Sequence, residues 1–327
     1  MTRIFTNKAL DTTALLEKLG VELVRIDLPF RLNHVNCFIA EYENEWTVID
    51  AGLNNKLTRD LWEEKLKDKK VTDILVTHYH PDHFGYVGEL QEKAGAKVWM
   101  SETDAKAGMN AWEPSFIDQI PANYRASGIP EEQATQMIRN TEEFKPLVSP
   151  LPKIGQYLTE KDRVQVGNFE YQVIHTPGHS DGMICLYNEE QSTLFATDHI
   201  LPKITPNISY WFHGDANPLA SYIESLHKIK KLDVEFVIPS HGKPFYGANE
   251  RIDELLAHHE ERLSETLKTI KEPLTVYEAC NKLFQRPLTV HEMRFAVGET
   301  LSHLEYLRHK KECSREMIDG IWRYEKI

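Results

Sequence analysis

The chain has 327 residues, 41% hydrophobic and 27% charged, which is enough apolar material for one large α/β unit with an appendage and too much for a disordered or fibrous chain. With 50 acidic against 38 basic residues the formal charge is −12, which disfavours nucleic acid or an anionic membrane as partner, because both attract clustered Lys and Arg. Cys37, Cys185, Cys280 and Cys313 show no CxxC spacing, and neither a secretory leader nor a membrane-length apolar run is evident, so the expected setting is the cytoplasm, without disulfides.

In chain order, residues 22–30, 33–42 and 45–53 read as strands, the second and third joined in a hairpin through Glu43, Asn44 and Glu45. Residues 57–70 space Leu57, Leu61, Trp62 and Leu66 as one helical face. Residues 73–77 (DILVT) form a short apolar run that suits a strand buried on both faces; 81–95 carry Phe84, Val87 and Leu90 at helical spacing, and 96–100 are a further strand. The stretch 102–147 differs. Ser101 or Thr103 and Pro130 mark helix starts and Pro114, Pro121 and Gly128 mark breaks, so it is expected to be a helical insertion between strands. Residues 164–178, 183–188 and 192–200 are strand-like, 216–232 an amphipathic helix, and 234–242 an apolar strand ending in histidine. From 249 onward the pattern is mostly helical, closing in a hairpin around 319–322.

The block THYHPDHFG, residues 77–85, places His78, His80, Asp82 and His83 as H-x-H-x-D-H directly after the 73–77 strand. Strand carboxyl ends are where α/β folds commonly build sites. Two histidines two apart on an extended segment point the same way, and the turn that follows brings Asp82 and His83 round to them, so one loop can serve two adjacent metal ions. It cannot complete both coordination spheres. Further ligands are available at strand ends, in His179 of HTPGHSDG, Asp198 of ATDH and His241 of PSHG, each following an apolar run and flanked by Pro, Gly or small residues.

Taken in this order, Asp50 in VIDAG, the THYHPDH block, His179, Asp198 and His241 resemble the five-motif pattern of the metallo-β-lactamase superfamily, over residues 20–245. The resemblance implies an α+β fold, a four-layer αββα sandwich of two mixed β-sheets with a dinuclear site at one edge. It further implies that His78, His80 and His179 hold one ion, that Asp82, His83 and His241 hold the second, that Asp198 bridges them, and that Asp50 orients ligands by hydrogen bonds. Imidazole and carboxylate without thiolate suit two divalent ions, zinc foremost, with iron(II) or manganese(II) as alternatives. Two such ions about 3.5–4 Å apart lower the pKa of a shared water towards about 7. Water activated in this way would attack a carbonyl or phosphoryl centre, with Asp82 or Asp198 accepting the proton. Of the nearby histidines, His175 is a candidate for orienting ligands, His199 is expected to face away from Asp198 by strand alternation, and His213 to border the pocket.

Within the superfamily, class B β-lactamases lack a bridging carboxylate at the Asp198 position, and the diiron branch replaces the second histidine of the block, here His80, with Glu. The remaining hydrolase branch, similar to glyoxalase II, points to a small or medium ester, thioester or lactone. A phosphodiesterase or ribonuclease is the alternative, mononuclear-iron dioxygenases acting on persulfides use a related motif, and a non-catalytic metal-binding scaffold is the reading outside enzymology. Met109, Trp112, Phe116, Ile117, Ile120 and Tyr124 make the insertion either a cap over the metal edge or a small core of its own. Tyr210 and Trp211 are a second set of pocket candidates. The expected division is a catalytic domain at 1–248 and a helical, winged-helix-like domain at 249–327. That tail resembles one in a branch of the superfamily that includes a mitochondrial single-strand ribonuclease. It carries 13 Lys plus Arg against 15 Asp plus Glu, which favours packing against the catalytic domain, or a partner subunit in a homodimer, over tracking phosphates.

Overall fold

The structure is a computed structural model that describes residues 12–327. The opening stretch read as lacking a leader lies for the most part outside the described residues. After helix α1 (Thr12–Leu19), the first sheet runs in chain order through β1 (Val21–Asp27), β2 (His34–Tyr42), β3 (Glu45–Ile49), β4 (Val71–Leu75), β5 (Lys97–Ser101) and β6 (Ile154–Leu158). β1 to β3 are antiparallel, and Glu43 and Asn44 turn the hairpin with φ of 51° and 64°, the left-handed pair that matches strand twist. From β3 to β6 all pairings are parallel. Parallel neighbours need crossovers. α2 (Lys56–Lys65) supplies the first, and α3 (Pro81–Phe84) with α4 (Val87–Ala94) the second. The third holds the helical insertion as α5 (Glu102–Asn110), α6 (Pro114–Ile117), α7 (Ile120–Ala126), α8 (Glu131–Phe144) and a 3₁₀ turn at Lys145–Val148.

The second sheet has the order β12-β11-β10-β9-β8-β7, built from β7 (Arg163–Val166), β8 (Phe169–His175), β9 (Ile184–Asn188), β10 (Thr193–Thr197), β11 (Phe236–Pro239) and β12 (Phe245–Tyr246). Only the β10–β11 pair is parallel, and α9 (Pro218–Lys230) makes its crossover. The two sheets meet through Phe38, Ile49, Leu75, Tyr171, Phe195 and Ile238, while Trp62 and Phe84 cover the outer face of the first sheet and Tyr222 and Leu226 that of the second. The chain is thus the four-layer αββα sandwich, with both sheets mixed.

Two local expectations need correction. Leu57 is 70% exposed, because Asn55 caps α2 by accepting from Thr58 N and the inward line runs Thr58, Trp62, Leu66, leaving Leu57 one residue off that line. Strand β6 gave no sequence signal: it is an edge strand whose middle three residues are exposed, so it lacks an apolar run.

Beyond the second sheet come α10 (Ala248–Thr269), α11 (Val276–Leu283) and α12 (Val290–His309), then the hairpin β13 (Cys313–Ile318) and β14 (Ile321–Lys326). Thr275 with Glu278, and Thr289 with Glu292, form reciprocal capping boxes that fix the starts of α11 and α12. The insertion does not close a separate core of its own. Tyr124 and Met137 share one cluster with Ile270, Val297, Leu301 and Leu304 of the tail. Among the described residues no helix is long and apolar enough to cross a membrane.

Glu305, 1% exposed, accepts from Tyr324 Oη (2.5 Å), Arg308 Nη2 (2.6 Å) and Arg315 Nη1 (2.9 Å), and so ties α12 to the closing hairpin. Replacing Glu305 by Ala strands two arginines that keep partial access to water, so the expected loss is about 2–3 kcal/mol, at the low end for a broken buried pair. Urea denaturation checks this, with Glu305→Gln expected to lose less.

Candidate metal centre

Strands β3, β4, β8, β10 and β11 direct their carboxyl ends to one edge of the sandwich, and each of the sequence-selected residues sits just past one of those ends. The H-x-H-x-D-H loop turns sharply because His83 N donates to His80 O (3.0 Å) and Pro81 starts α3. Ile184 N donates to Thr77 O (3.0 Å), which fastens this loop of the first sheet to the second.

Three groups of ligand atoms converge, each within 4.8 Å: His78, His80 and His179; His78, His83 and Asp198; Asp82, His83 and His241. All seven residues singled out from the sequence are therefore brought together. In the first group, His80 Nδ1 lies 3.1 Å from His78 Nε2 and 2.8 Å from His179 Nε2. The tautomers follow from the outer partners. His179 Nδ1 donates to Asn207 O (2.8 Å), and His78 Nδ1 donates to Thr77 Oγ1 (3.1 Å), whose own hydrogen goes to Asp50 Oδ2 (2.8 Å). Both Nε2 lone pairs thus face inward. Burial lowers all three histidines, His78 and His80 well below the usual imidazole range, so they are neutral near pH 7. His78 and His179 thus both turn an Nε2 lone pair toward His80 Nδ1, an arrangement that suits a cation held among the three rings.

Across the other two groups, His241 Nε2 lies 3.3 Å from Asp198 Oδ1 and 3.5 Å from Asp82 Oδ2, and His83 Nε2 lies 3.5 Å from Asp198 Oδ1. These nitrogens and Asp198 Oδ1 are buried without a hydrogen-bond partner, as ligand atoms reserved for an ion would be. Burial opposes charge on His83, but Asp82, Asp50 and Asp198 outweigh it and raise its pKa to about 10. His241 is raised in the same way, chiefly by Asp198. Asp198 is held well below the carboxylate range against its burial by His241, His83 and His179. The site is built for positive charge, and a nitrogen-rich, thiolate-free donor set fits divalent transition ions.

Orientation is set from behind. Asp50 accepts from Thr77 N, Thr77 Oγ1 and His83 Nδ1, all at 2.8 Å, and His241 Nδ1 donates to His34 O (2.6 Å). Asp50 and Thr197, the latter just before Asp198, hold φ of 57° and 48°, which costs a residue with a Cβ about 1–2 kcal/mol each and turns the chain sharply off β3 and β10. The other histidines stay outside. His175 gives its N–H to Glu160 and its carbonyl to Lys228, His199 packs on Tyr222, and His213 borders the cavity against Phe116.

Two orienting residues escaped the sequence reading. Buried Asp104 accepts from Ser180 Oγ and Gly182 N, both at 2.6 Å, and from Tyr79 N at 3.2 Å, so it joins the loop of His78 and His80 to the loop of His179. Burial pushes its pKa up to about 7 against those donors. In sequence it is an ordinary acid in the first turn of a helix. Asn207, whose carbonyl fixes the His179 ring, is itself held by the tail, through Nδ2 to Glu299 Oε2 (3.2 Å) and Phe295 O (3.4 Å).

A cavity of about 1000 Å³ opens over the cluster, with His80, Asp82, His179 and Asp198 in its floor. Its walls come from the β1–β2 loop (Phe30), the insertion (Trp112, Phe144), the 205–213 loop (Trp211) and α12 (Phe295).

Comparison with known proteins follows the same lines. A family profile described as the metallo-beta-lactamase superfamily matches residues 31–241, and one described as metallo-beta-lactamase-like, C-terminal domain, matches 263–327. The chain is 24% identical over 320 residues to a "probable metallo-hydrolase YqjP" of Bacillus subtilis (strain 168), spanning 91% of this chain and 94% of that protein. Two solved structures are similar: a beta-lactamase domain protein from Burkholderia ambifaria (TM-score 0.82, 32% identity, 94% of this chain and 92% of the other) and a metallo-beta-lactamase family protein from Thermus thermophilus (0.83, 31%, 94% and 99%).

Asp104→Asn exchanges one acceptor oxygen for an NH₂ that points at donors. It is expected to destabilise the protein by about 1–3 kcal/mol, the cost of leaving a buried donor unmatched, as read by urea denaturation.

Proposed function

The chain belongs to the metallo-β-lactamase superfamily as a metal-dependent hydrolase, and from that premise we propose that it uses two metal ions to hydrolyse a small or medium ester, thioester or lactone with a largely apolar body. The observation that carries this reading is the cavity, with a floor of His80, Asp82, His179 and Asp198 and a surround of aromatic rings from four separate stretches. An apolar acyl chain or ring gains by burial against such walls, whereas a phosphodiester polymer is better served by an open basic groove. The tail, with 13 basic against 15 acidic residues, offers no such groove by composition.

In this reading His78, His80 and His179 hold one ion, and Asp82, His83 and His241 the other, with Asp198 between them. Zinc is the first choice because five of the donors are imidazoles, and iron(II) and manganese(II) suit the same set. When bound, the ions supply Lewis acidity that polarises the scissile group and acidifies water. The protein does the rest. Asp198, held ionised by three histidines, is a poor proton acceptor and a good counter-charge. Asp82 is the more exposed of the two carboxylates in the cavity floor, with its side chain 18% accessible, and is the better placed to take a proton at Oδ1, its Oδ2 being the oxygen beside His83 and His241. Phe30, Trp112 and Trp211 exclude bulk water from the acyl portion.

Two tests follow. Prolonged chelation should abolish ester and thioester hydrolysis and restoration of zinc, manganese or iron(II) should return it; turnover that survives verified metal removal would overturn the reading. Assayed in parallel, p-nitrophenyl butyrate and acyl thioesters should be cleaved faster than bis-p-nitrophenyl phosphate and short RNA, and the reverse order would favour the phosphodiesterase. Asp82→Asn should lower kcat by about 10²–10⁴-fold, the usual worth of a positioned proton acceptor.

A further inference from the structure

Helix α12 presents His291, Arg294, Phe295 and Gly298 to the cavity, on the recurring three- and four-residue spacing of one helical face. Arg294 is the unusual member. Its Nε is buried without a hydrogen-bond partner, and among the described residues no carboxylate lies within ion-pairing distance of its guanidinium. The neutral Tyr124 side chain lies beside the guanidinium, and it brings no charge. Arg31, the other arginine on the cavity, meets Glu292 at 3.6 Å, and Glu292 also meets Arg286 at 2.8 Å, so the carboxylate on this wall is already engaged. The Arg294 charge is felt by Tyr79 next to His80, by Tyr124 of the insertion and by His291, which sets it between the aromatic wall and the metal edge.

A guanidinium in an apolar wall loses hydration that the fold has not replaced with an anionic acceptor. Its planar fork matches a carboxylate or phosphate with two parallel hydrogen bonds. We propose that Arg294 is a specificity-determining residue that receives an anionic oxyacid group of the substrate, carboxylate or phosphate, at a distance from the scissile bond. The substrate class is then an amphipathic ester or thioester, with an apolar body against Phe30, Trp112 and Trp211 and a negative terminus on α12. This deepens the proposed function and rests on its reading of the cavity as the substrate pocket.

Trp112 and Trp211 line the cavity, so binding can be read by their fluorescence without any turnover. The full-length protein is titrated with hexanoate, hexyl phosphate and the neutral hexanamide, as wild type, Arg294→Gln and Arg294→Lys. The expected result is tighter binding of at least one anion than of the amide. That preference should fall about tenfold or more in Arg294→Gln, in line with loss of a charge-assisted hydrogen bond, and fall less in Arg294→Lys, which keeps the charge but not the fork. Should Arg294→Gln not fold, the Lys variant alone is expected to weaken the preference several-fold. The proposal is overturned if wild type binds hexanamide as tightly as both anions, or if the preference survives in both variants, as it would if the metal ions alone attracted the anion. Anion binding that depends on Arg294 in a protein that cleaves no ester would sink the hydrolase reading and leave this one standing. Ester cleavage with no such dependence does the opposite.

Discussion

Five imidazoles turn ring nitrogens toward a space a few ångströms across, and the surrounding structure is arranged to hold them there. Left to themselves, His78, His80 and His179 would rotate until each nitrogen found a donor. They are prevented by oxygen acceptors fixed behind them, namely Thr77 Oγ1 for His78 and the Asn207 carbonyl for His179. His83 and His241 are treated likewise by Asp50 and the His34 carbonyl. The acceptors come from β2, β3, the end of β4 and the 205–213 loop, so the two sheets must be in register at this edge before the ligand set exists. That dependence explains why the strained backbone at Asp50 and Thr197 is tolerated: both residues sit where a strand must turn abruptly to reach the site.

The tail belongs to the same arrangement. Tyr210 N donates to Gly298 O (3.0 Å), and a Cβ at position 298 would sit 2.6 Å from Ser209 Oγ, so α12 approaches the 205–213 loop as closely as only glycine permits. The loop so held carries Asn207, which orients His179. The same helix contributes Phe295 and Arg294 to the cavity, and its inner face shares a core with the insertion through Tyr124 and Met137. The cavity wall and the orientation of His179 therefore draw on one helix, and disturbing its packing should reach the His/Asp cluster through Asn207 without touching any of its seven residues.

Much of this was legible in the sequence because the signals were local. The H-x-H-x-D-H block, His179, Asp198 and His241 each follow an apolar run, and a strand end is a place that sequence can mark. The hairpin at Glu43 and Asn44 is local as well. What stayed hidden depends on distant partners. Asp104 looks like any acid in a first helical turn, and only the fold brings Ser180 and Gly182 to it. Strand β6 exists because β5 offers an open parallel edge, with little apolar material of its own. Whether the insertion's aromatics formed a cap or a core could not be decided from spacing, since Tyr124 does both, lining the cavity and packing against the tail.

That double role bears on how the pocket acquires selectivity. The seven clustered residues come from strand ends whose geometry is set by two sheets. The cavity walls, by contrast, come from the third crossover, the β1–β2 loop and the tail, segments that can change length or side chain without altering sheet register. Phe30, Phe144 and His291 stack on one another from all three, with ring centroids 4.9–5.6 Å apart. The contact couples the three segments mechanically, while none of the three rings supplies an atom to the ligand groups. A change of substrate is therefore most accessible through these walls, with the chemistry at the floor preserved. An arginine held there without a carboxylate, beside the paired Arg31 and Glu292, is one feature by which this chain's pocket departs from a purely hydrophobic one.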